Sequence, residues 1–285
     1  MLAILDRFIA KEEIPTVSVI GSCRVHVPMR HAQESGLVRL HNYGFESYSH
    51  SPSEVLQKLR AAHHRVQFPS HLRILINGTE RDGDKILVKR GDYRETSVFL
   101  IEISSSRHIT IDGFSIQQNF LIEYFVRPNR LEDWWERLCD LNRKEGCAQL
   151  SPNEEWISPS VRAIASSVKL KNESESDIRA QMAKICDYLG KPVVFVGHFD
   201  FPLSDGSSIK GRARHNKIIR SAAADIGAGY FEPADLISMY GADKAVRDGT
   251  NNHWAYSFEK VAGEYLAQNV IKPFIAQRKK QNATA

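Results

Sequence analysis

Short apolar runs alternate along this chain with longer stretches in which apolar residues recur at helical spacing. Val17 to Ile20 is the first such run and reads as a buried strand ending at Gly21. A helix or turn follows through His31 and Glu34. Leu37-Val-Arg-Leu40 predicts a second strand, closing at Asn42-Tyr43-Gly44. Ser53 caps a helix that carries Val55, Leu56, Leu59 and Ala62 on one side. Ser97-Val-Phe-Leu-Ile-Glu-Ile103 is the strongest core strand and runs into the polar stretch Ser104-Ser-Ser-Arg107. Pro192-Val-Val-Phe-Val-Gly197 is another, followed by His198-Phe-Asp-Phe-Pro202. Helices are expected over 178–189, stopped by Gly190, over 212–227, and from about Ser257 to Ala276. Tyr230-Phe231 opens a short strand before Pro233, and residues 1–13 read as a short amphipathic helix.

Two regions depart from this alternation. Arg73-Ile-Leu-Ile-Asn77 and Lys85-Ile-Leu-Val-Lys89 flank Asp82-Gly-Asp84, which predicts a β-hairpin insertion over 71–94. Residues 115–190 read as mostly helical, a second insertion, with Trp134, Trp135, Leu138 and Leu141 marking one helix. Strands alternating with helices point to one α/β domain over 1–285, built on a doubly wound, mainly parallel sheet. Such sheets bind ligands beyond the carboxyl ends of their strands. Four of those ends carry polar residues that could converge: Cys23, Asn42 to Gly44, Ser104 to Arg107, and His198 to Asp200.

Composition narrows the class. A chain of 285 residues, 42% hydrophobic, buries enough surface to need no staples. Its cysteines, Cys23, Cys139, Cys147 and Cys186, form no CxxC pair, so a zinc knuckle is not expected and a reducing compartment is. A formal charge of +4 spread over this length does not argue for nucleic acid, but suits an anionic substrate or cofactor. Asp6 and Arg7 interrupt the first apolar run too early for a signal peptide, and no stretch of 18 apolar residues occurs, so a cytoplasmic protein without a membrane span is expected. His26, His31, His63 and His64 gather no carboxylates or cysteines at ligand spacing, so no metal is expected.

The chemistry centres on Cys23. On a strand-to-helix turn it lies near helix N-terminal N–H groups, which favour thiolate over thiol. A free cysteine is otherwise often a small buried hydrophobe. Read together, Gly21-Ser22-Cys23 and Asp248-Gly-Thr-Asn-Asn-His253-Trp254 resemble the SGNH (GDSL-like) hydrolase superfamily. The resemblance is to the branch in which Gly-Ser-Cys replaces Gly-Asp-Ser. That branch includes the family named for its Gly-Ser-Cys-Phe-Ala motif and acetyltransferase-like proteins of capsular polysaccharide biosynthesis. It implies a three-layer α/β/α sandwich with a mainly parallel, flavodoxin-like sheet. It also implies Cys23 as nucleophile, His253 as base and Asp248 as the acid that orients it. The superfamily usually has Asp three residues before His; here that place is Thr250, and Asp248 is five before. The Gly-x-Asn-Asp block has no clear copy, which leaves the oxyanion donor to Ser105 or to backbone N–H groups of Cys23 and Gly44.

The remaining candidates each have a plain structural alternative. Arg24, beside the nucleophile, could hold an anionic group or be merely solvated. His198 and Asp200 could line a pocket or form a turn. Glu102 could meet substrate, or pair with Arg107 or Arg24. Arg212, Arg214 and Lys217, in the basic run 210–217, could meet the phosphates of an acyl-coenzyme A donor or be a solvated helix start. The expectation is a cysteine-nucleophile acyltransferase or esterase acting on a carbohydrate, with O-acetyl transfer in polysaccharide biosynthesis favoured and no tightly bound cofactor. The alternative is a non-catalytic SGNH-like module that binds a glycan or nucleotide.

Overall fold

Strict alternation of side chains along three adjacent strands explains how one sheet covers two cores. In the computed structural model, residues 13–41, 48–64, 67–78, 94–202, 207, 209, 211–247 and 252–283 are described. The strands among them are β1 (Thr16–Ile20), β2 (Arg39–Leu40), β3 (Val98–Glu102), β4 (Arg107–Ile111), β5 (Phe114–Ile116), β6 (Cys147–Gln149), β7 (Lys169–Asn172), β8 (Val193–Val196) and β9 (Gly229–Phe231). The helices are α1 (Cys23–Glu34), α2 (Pro52–His64), α3 (Arg73–Asn77), α4 (Gln118–Leu121), α5 (Glu132–Glu145), α6 (Pro159–Ser167), α7 (Glu175–Leu189), α8 (Arg212–Asp225), α9 (Pro233–Tyr240), α10 (Ala242–Ala245), α11 (Glu259–Tyr265) and α12 (Lys272–Ala283).

The main sheet has five parallel strands in the order β2-β1-β3-β8-β9. That is the doubly wound order with its switch point between β1 and β3, where a ligand crevice opens. Val17, Val19, Val98, Leu100, Val194 and Val196 face one side and pack with α1, α11 and the π-helical turn Leu266–Ile271. Ile20, Phe99, Ile101, Val193 and Phe195 face the other and pack with α2, α7 and α8. This is the two-residue period of a strand. It puts Glu102, two residues beyond Leu100, on the side that α1 covers.

The predicted hairpin is corrected, and the stretch expected to be mostly helical carries α4 to α7 but short strands as well. Arg73–Asn77 is a single helical turn rather than the first arm of a hairpin, ended by Gly78 at φ 71°. A short apolar run does not distinguish a strand from a buried helical turn by itself. The predicted second arm, 85–89, lies outside the described residues. A hairpin occurs instead between β4 and β5, turned by Asp112 and Gly113 at φ 51° and 82°. Positive φ at both central residues matches the twist of the flanking strands. Nor is 115–190 simply a helical insertion. It contributes β5, β6 and β7, which join β4 in an antiparallel sheet of order β5-β4-β7-β6. Alternate residues Ile109, Ile111, Ile116, Ala148 and Leu170 bury against α3 to α6 in a separate core around Trp134. Helix α7 belongs to the main sheet as the crossover into β8. The expected N-terminal helix lies outside the described residues.

Candidate active site

Close approach of β1 and β3 sets the geometry at the head of α1. A Cβ on Gly21 would lie 2.7 Å from Glu102 Cβ, so only glycine fits. Ser22 then donates its N–H to Glu102 Oε2 at 2.7 Å, and its hydroxyl caps α1 by accepting the Arg24 N–H. Cys23 is the first residue of the helix, where N–H groups have no intrahelical acceptor.

Arg24 folds back rather than out. It pairs with Glu102 in an ion pair whose side chains are 9% and 1% exposed, so neither the solvated reading nor a free anion grip describes it. Its other nitrogens donate to Ser22 Oγ at 3.1 Å and His198 Nε2 at 2.9 Å. Burial acts to raise the Glu102 pKa, but Arg24, His50 and the Ser22 hydrogen bonds outweigh it and hold the carboxyl below its usual range. The ends of β1, β3 and β8 are thereby locked together.

A proline brings His253 to the same place. Pro28 lies inside α1 and has no N–H to give the Arg24 carbonyl four residues earlier. The Trp254 indole supplies it instead, donating to that carbonyl at 2.9 Å. Trp254 is held by Phe199 and Phe258, with ring centroids 4.3 and 5.7 Å away. Arg247 N–H donates to His253 C=O at 3.0 Å and ties these two residues together. Asp248 lies outside the described residues.

The result is a cavity of about 600 Å³ at the carboxyl edge of the sheet. Cys23, Arg24, Ser105, His198, Arg212 and His253 all line it. Three predicted residues do not. Asp200 is half-buried outside the lining and favours the charge of Arg212, while Arg214 and Lys217 are exposed on α8. Gly44 lies outside the described residues. His50, Arg107, Gln118 and Asn252 also face the cavity. Of these, sequence reasoning missed His50 and Gln118, although a histidine just ahead of Ser51-Pro52, between the second strand and the next helix, falls on the edge beside β1.

Hydrogen bonds assign protons to two of the three pocket histidines. His198 Nε2 must accept, because Arg24 can only donate, so its proton sits on Nδ1 and goes to the Phe199 carbonyl at 3.1 Å. Burial, with Arg24 and Arg212, pulls the His198 pKa down to about 2. Gln117 Oε1 accepts the Phe120 N–H at 2.8 Å, which turns its amide nitrogen toward His50 Nδ1, 3.2 Å away. His50 therefore carries its proton on Nε2, and burial lowers its pKa to about 4. His253 remains: its Nδ1 is buried without a partner among the described residues. Burial, then Arg247 and Arg24, lower its pKa. At Cys23 the expected thiolate preference is reversed. Burial pushes the thiol up and Glu102 adds to it, against the pull of Arg24, the local N–H and Arg247. Cys23 and His253 share the cavity without a hydrogen bond between them. No group of metal-ligating side chains gathers among the described residues, and none of their helices is long and apolar enough to cross a membrane.

Fold and site together define a doubly wound α/β domain with a polar cavity at the switch point, lined by a helix-first cysteine and a loop histidine. Residues 15–269 match the TviD N-terminal domain, and the chain belongs to that family. It is 27% identical over 273 residues to the Vi polysaccharide biosynthesis protein TviD of Salmonella typhi, covering 91% of this chain. The chain spans about a third of that relative, 31% of its length. A solved structure from Slackia heliotrinireducens, provisionally assigned to the SGNH hydrolases, aligns with 90% of this chain and 98% of its own at 13% identity and a TM-score of 0.41.

Proposed function

We propose that this domain is a cysteine-dependent acyltransferase acting on a carbohydrate, with O-acetyl transfer in polysaccharide biosynthesis favoured over hydrolysis. The observation that carries the reading is the proton assignment in the cavity. His198 and His50 are committed by their partners, so among the described pocket histidines His253 is the one available as base to Cys23. The relative's role in Vi polysaccharide biosynthesis supports a sugar acceptor.

Because burial raises the thiol and lowers the imidazole, the resting pair is a neutral thiol and a neutral imidazole. His253 takes the thiol proton as Cys23 Sγ attacks the acyl carbonyl of a thioester such as acetyl-coenzyme A. The tetrahedral intermediate expels the donor thiolate, which takes that proton from the imidazolium and leaves an acyl-Cys23 thioester. A sugar hydroxyl then gives its proton to His253 and attacks the acyl carbon. Cys23 leaves as thiolate and is reprotonated by the imidazolium. Sulfur-to-sulfur exchange suits a thioester donor, and such a donor supports a cytoplasmic setting. Arg107 and Arg212 in the cavity wall suit an anionic group on either reactant. Asp248 is the proposed partner of His253 Nδ1.

The test is mass spectrometry of the protein after incubation with acetyl-coenzyme A. One acetyl group is expected on the peptide containing Cys23, absent in Cys23→Ala and formed roughly 10²–10⁴-fold more slowly in His253→Ala. A second reading, a glycan-binding domain without turnover, is favoured by the raised thiol pKa. Wild-type protein that stays unacylated by thioesters and aryl esters at neutral pH, yet binds glycan, would establish it instead.

A further inference from the structure

Among the described residues, most backbone donors beside Cys23 are already in use. The Ser22 N–H goes to Glu102 Oε2. The Ser104 and Ser105 N–H groups both go to the His50 carbonyl, at 2.8 and 3.0 Å. Ser105 Oγ accepts the Arg107 N–H at 3.0 Å, which leaves only its rotatable O–H to donate. Among the described residues the first amide of α1, at Cys23, remains beside that rotatable hydroxyl, and one fixed donor makes a poor oxyanion hole.

We propose that His50 supplies the second donor, through an Nε2–H that Gln117 fixes and that faces the oxyanion formed when Cys23 attacks an acyl carbonyl. This rests on Cys23 being the nucleophile. Gln117 caps α4 with its Oε1, so its amide has no freedom to turn, and its nitrogen can only donate to His50 Nδ1. A neutral imidazole has one proton, which must then sit on Nε2. Burial keeps the ring neutral, with Arg24 and Lys58 acting the same way and Glu102 against them. A neutral N–H donor strengthens its bond as negative charge grows on oxygen, and it does not compete with His253 for the thiol proton.

The segment that presents His50 is held from several directions. Its N–H donates to Glu54 Oε2 at 3.0 Å, and Ser51 Oγ donates to Glu54 Oε1 at 3.2 Å. Lys58 Nζ donates to the Tyr48 carbonyl at 2.8 Å and to Ser49 Oγ at 3.0 Å. Glu54 and Lys58 are both buried, at 6% and 3% exposure. A buried acid and a buried base are committed to four residues, and the ring those residues carry into the cavity is His50. Gln117 is the positioning residue and His50 the group that meets the reacting oxygen.

Three measurements test this. Nitrogen NMR of the histidine rings should show His50 protonated on Nε2 and bare on Nδ1; a proton on Nδ1 overturns the proposal. Acetyl transfer from acetyl-coenzyme A to Cys23 should fall roughly 10²–10³-fold in His50→Ala, the loss typical of one oxyanion donor. Alkylation of Cys23 by iodoacetamide, which forms no oxyanion, should stay within about twofold. His50→Gln, which keeps an amide N–H, should recover part of the rate. Gln117→Glu, whose carboxylate draws the proton to Nδ1, should lose acetylation while keeping alkylation, and it covers the case in which His50→Ala does not fold. Wild-type protein that acetylates Cys23 with His50→Ala and Gln117→Glu at the same rate overturns this proposal alone. Wild-type protein that never acetylates Cys23 overturns the nucleophile reading and this proposal with it.

Discussion

At Cys23 two physical effects oppose each other, and burial wins. Helix N-terminal N–H groups and the guanidinium of Arg24 favour the thiolate, but loss of water and the Glu102 carboxylate disfavour it. Arg24 is weakened as a thiolate partner because its charge is already balanced by Glu102 in a buried pair. The consequence is measurable. Iodoacetamide alkylation of Cys23 should keep rising through about pH 9, the ordinary thiol value, without a plateau. A plateau between about pH 6 and 8 would instead report a preformed thiolate–imidazolium pair of the kind a strongly depressed thiol gives.

At the scale of elements, the site depends on how α11 and the loop before it seat on α1. Gly263 lies so close to α1 that a Cβ there would stand 2.0 Å from the Pro28 carbonyl oxygen. The same proline frees the Arg24 carbonyl that Trp254 occupies. One turn of α1 therefore does two jobs, receiving α11 and anchoring the residue next to His253. Gly263→Ala should force the helices apart at a cost of roughly 1–3 kcal/mol. Trp254→Phe should leave a buried carbonyl unbonded at about 1–3 kcal/mol. Both should lower the urea midpoint and slow Cys23 acylation together; full acylation with a lowered midpoint would show that His253 is not placed by this contact. The antiparallel sheet shows what was legible locally. Ile109-Thr-Ile111, Asp112-Gly113 and Phe114-Ser-Ile116 form an alternating pattern around a type I′ turn, a stronger hairpin signal than Asp82-Gly-Asp84.

The whole molecule carries a pH dependence set by its buried histidines. Burial lowers the pKa of His26 and His50 to about 4 and of His198 to about 2, and lowers those of His108, His215 and His253 as well. Glu54, Glu173 and Glu232 work the other way, their carboxyls pushed up by burial, but they are fewer among the described residues. Below the unfolded histidine value of 6.5 the unfolded chain binds protons that the native rings refuse. Stability is therefore present above 6.5 and lost as pH falls toward the folded values, by up to about 1.4 kcal/mol per pH unit for each histidine. Urea midpoints measured from pH 7 down to 4.5 should fall steadily; a flat profile would mean that the rings are not neutral and buried.

The parallel sheet and the importance of its carboxyl edge were determined by the sequence alone. Runs such as Val98 to Ile101 and Val193 to Val196 are apolar on both sides, and only a strand covered by helices on both faces satisfies that pattern. The cysteine after Gly21 and the histidine before the last helix were visible for the same reason, since each ends a strongly patterned element. What tertiary structure decided was protonation and partnership. Whether Arg24 grips a ligand or Glu102, which nitrogen of His50 holds its proton, and which carbonyl Trp254 serves depend on residues far apart in the chain: Arg24 with His198, His50 with Gln117, Trp254 with Arg24. A cysteine near a helix N-terminus looks reactive by local rules. Its thiol pKa was set by burial, which no local pattern encodes.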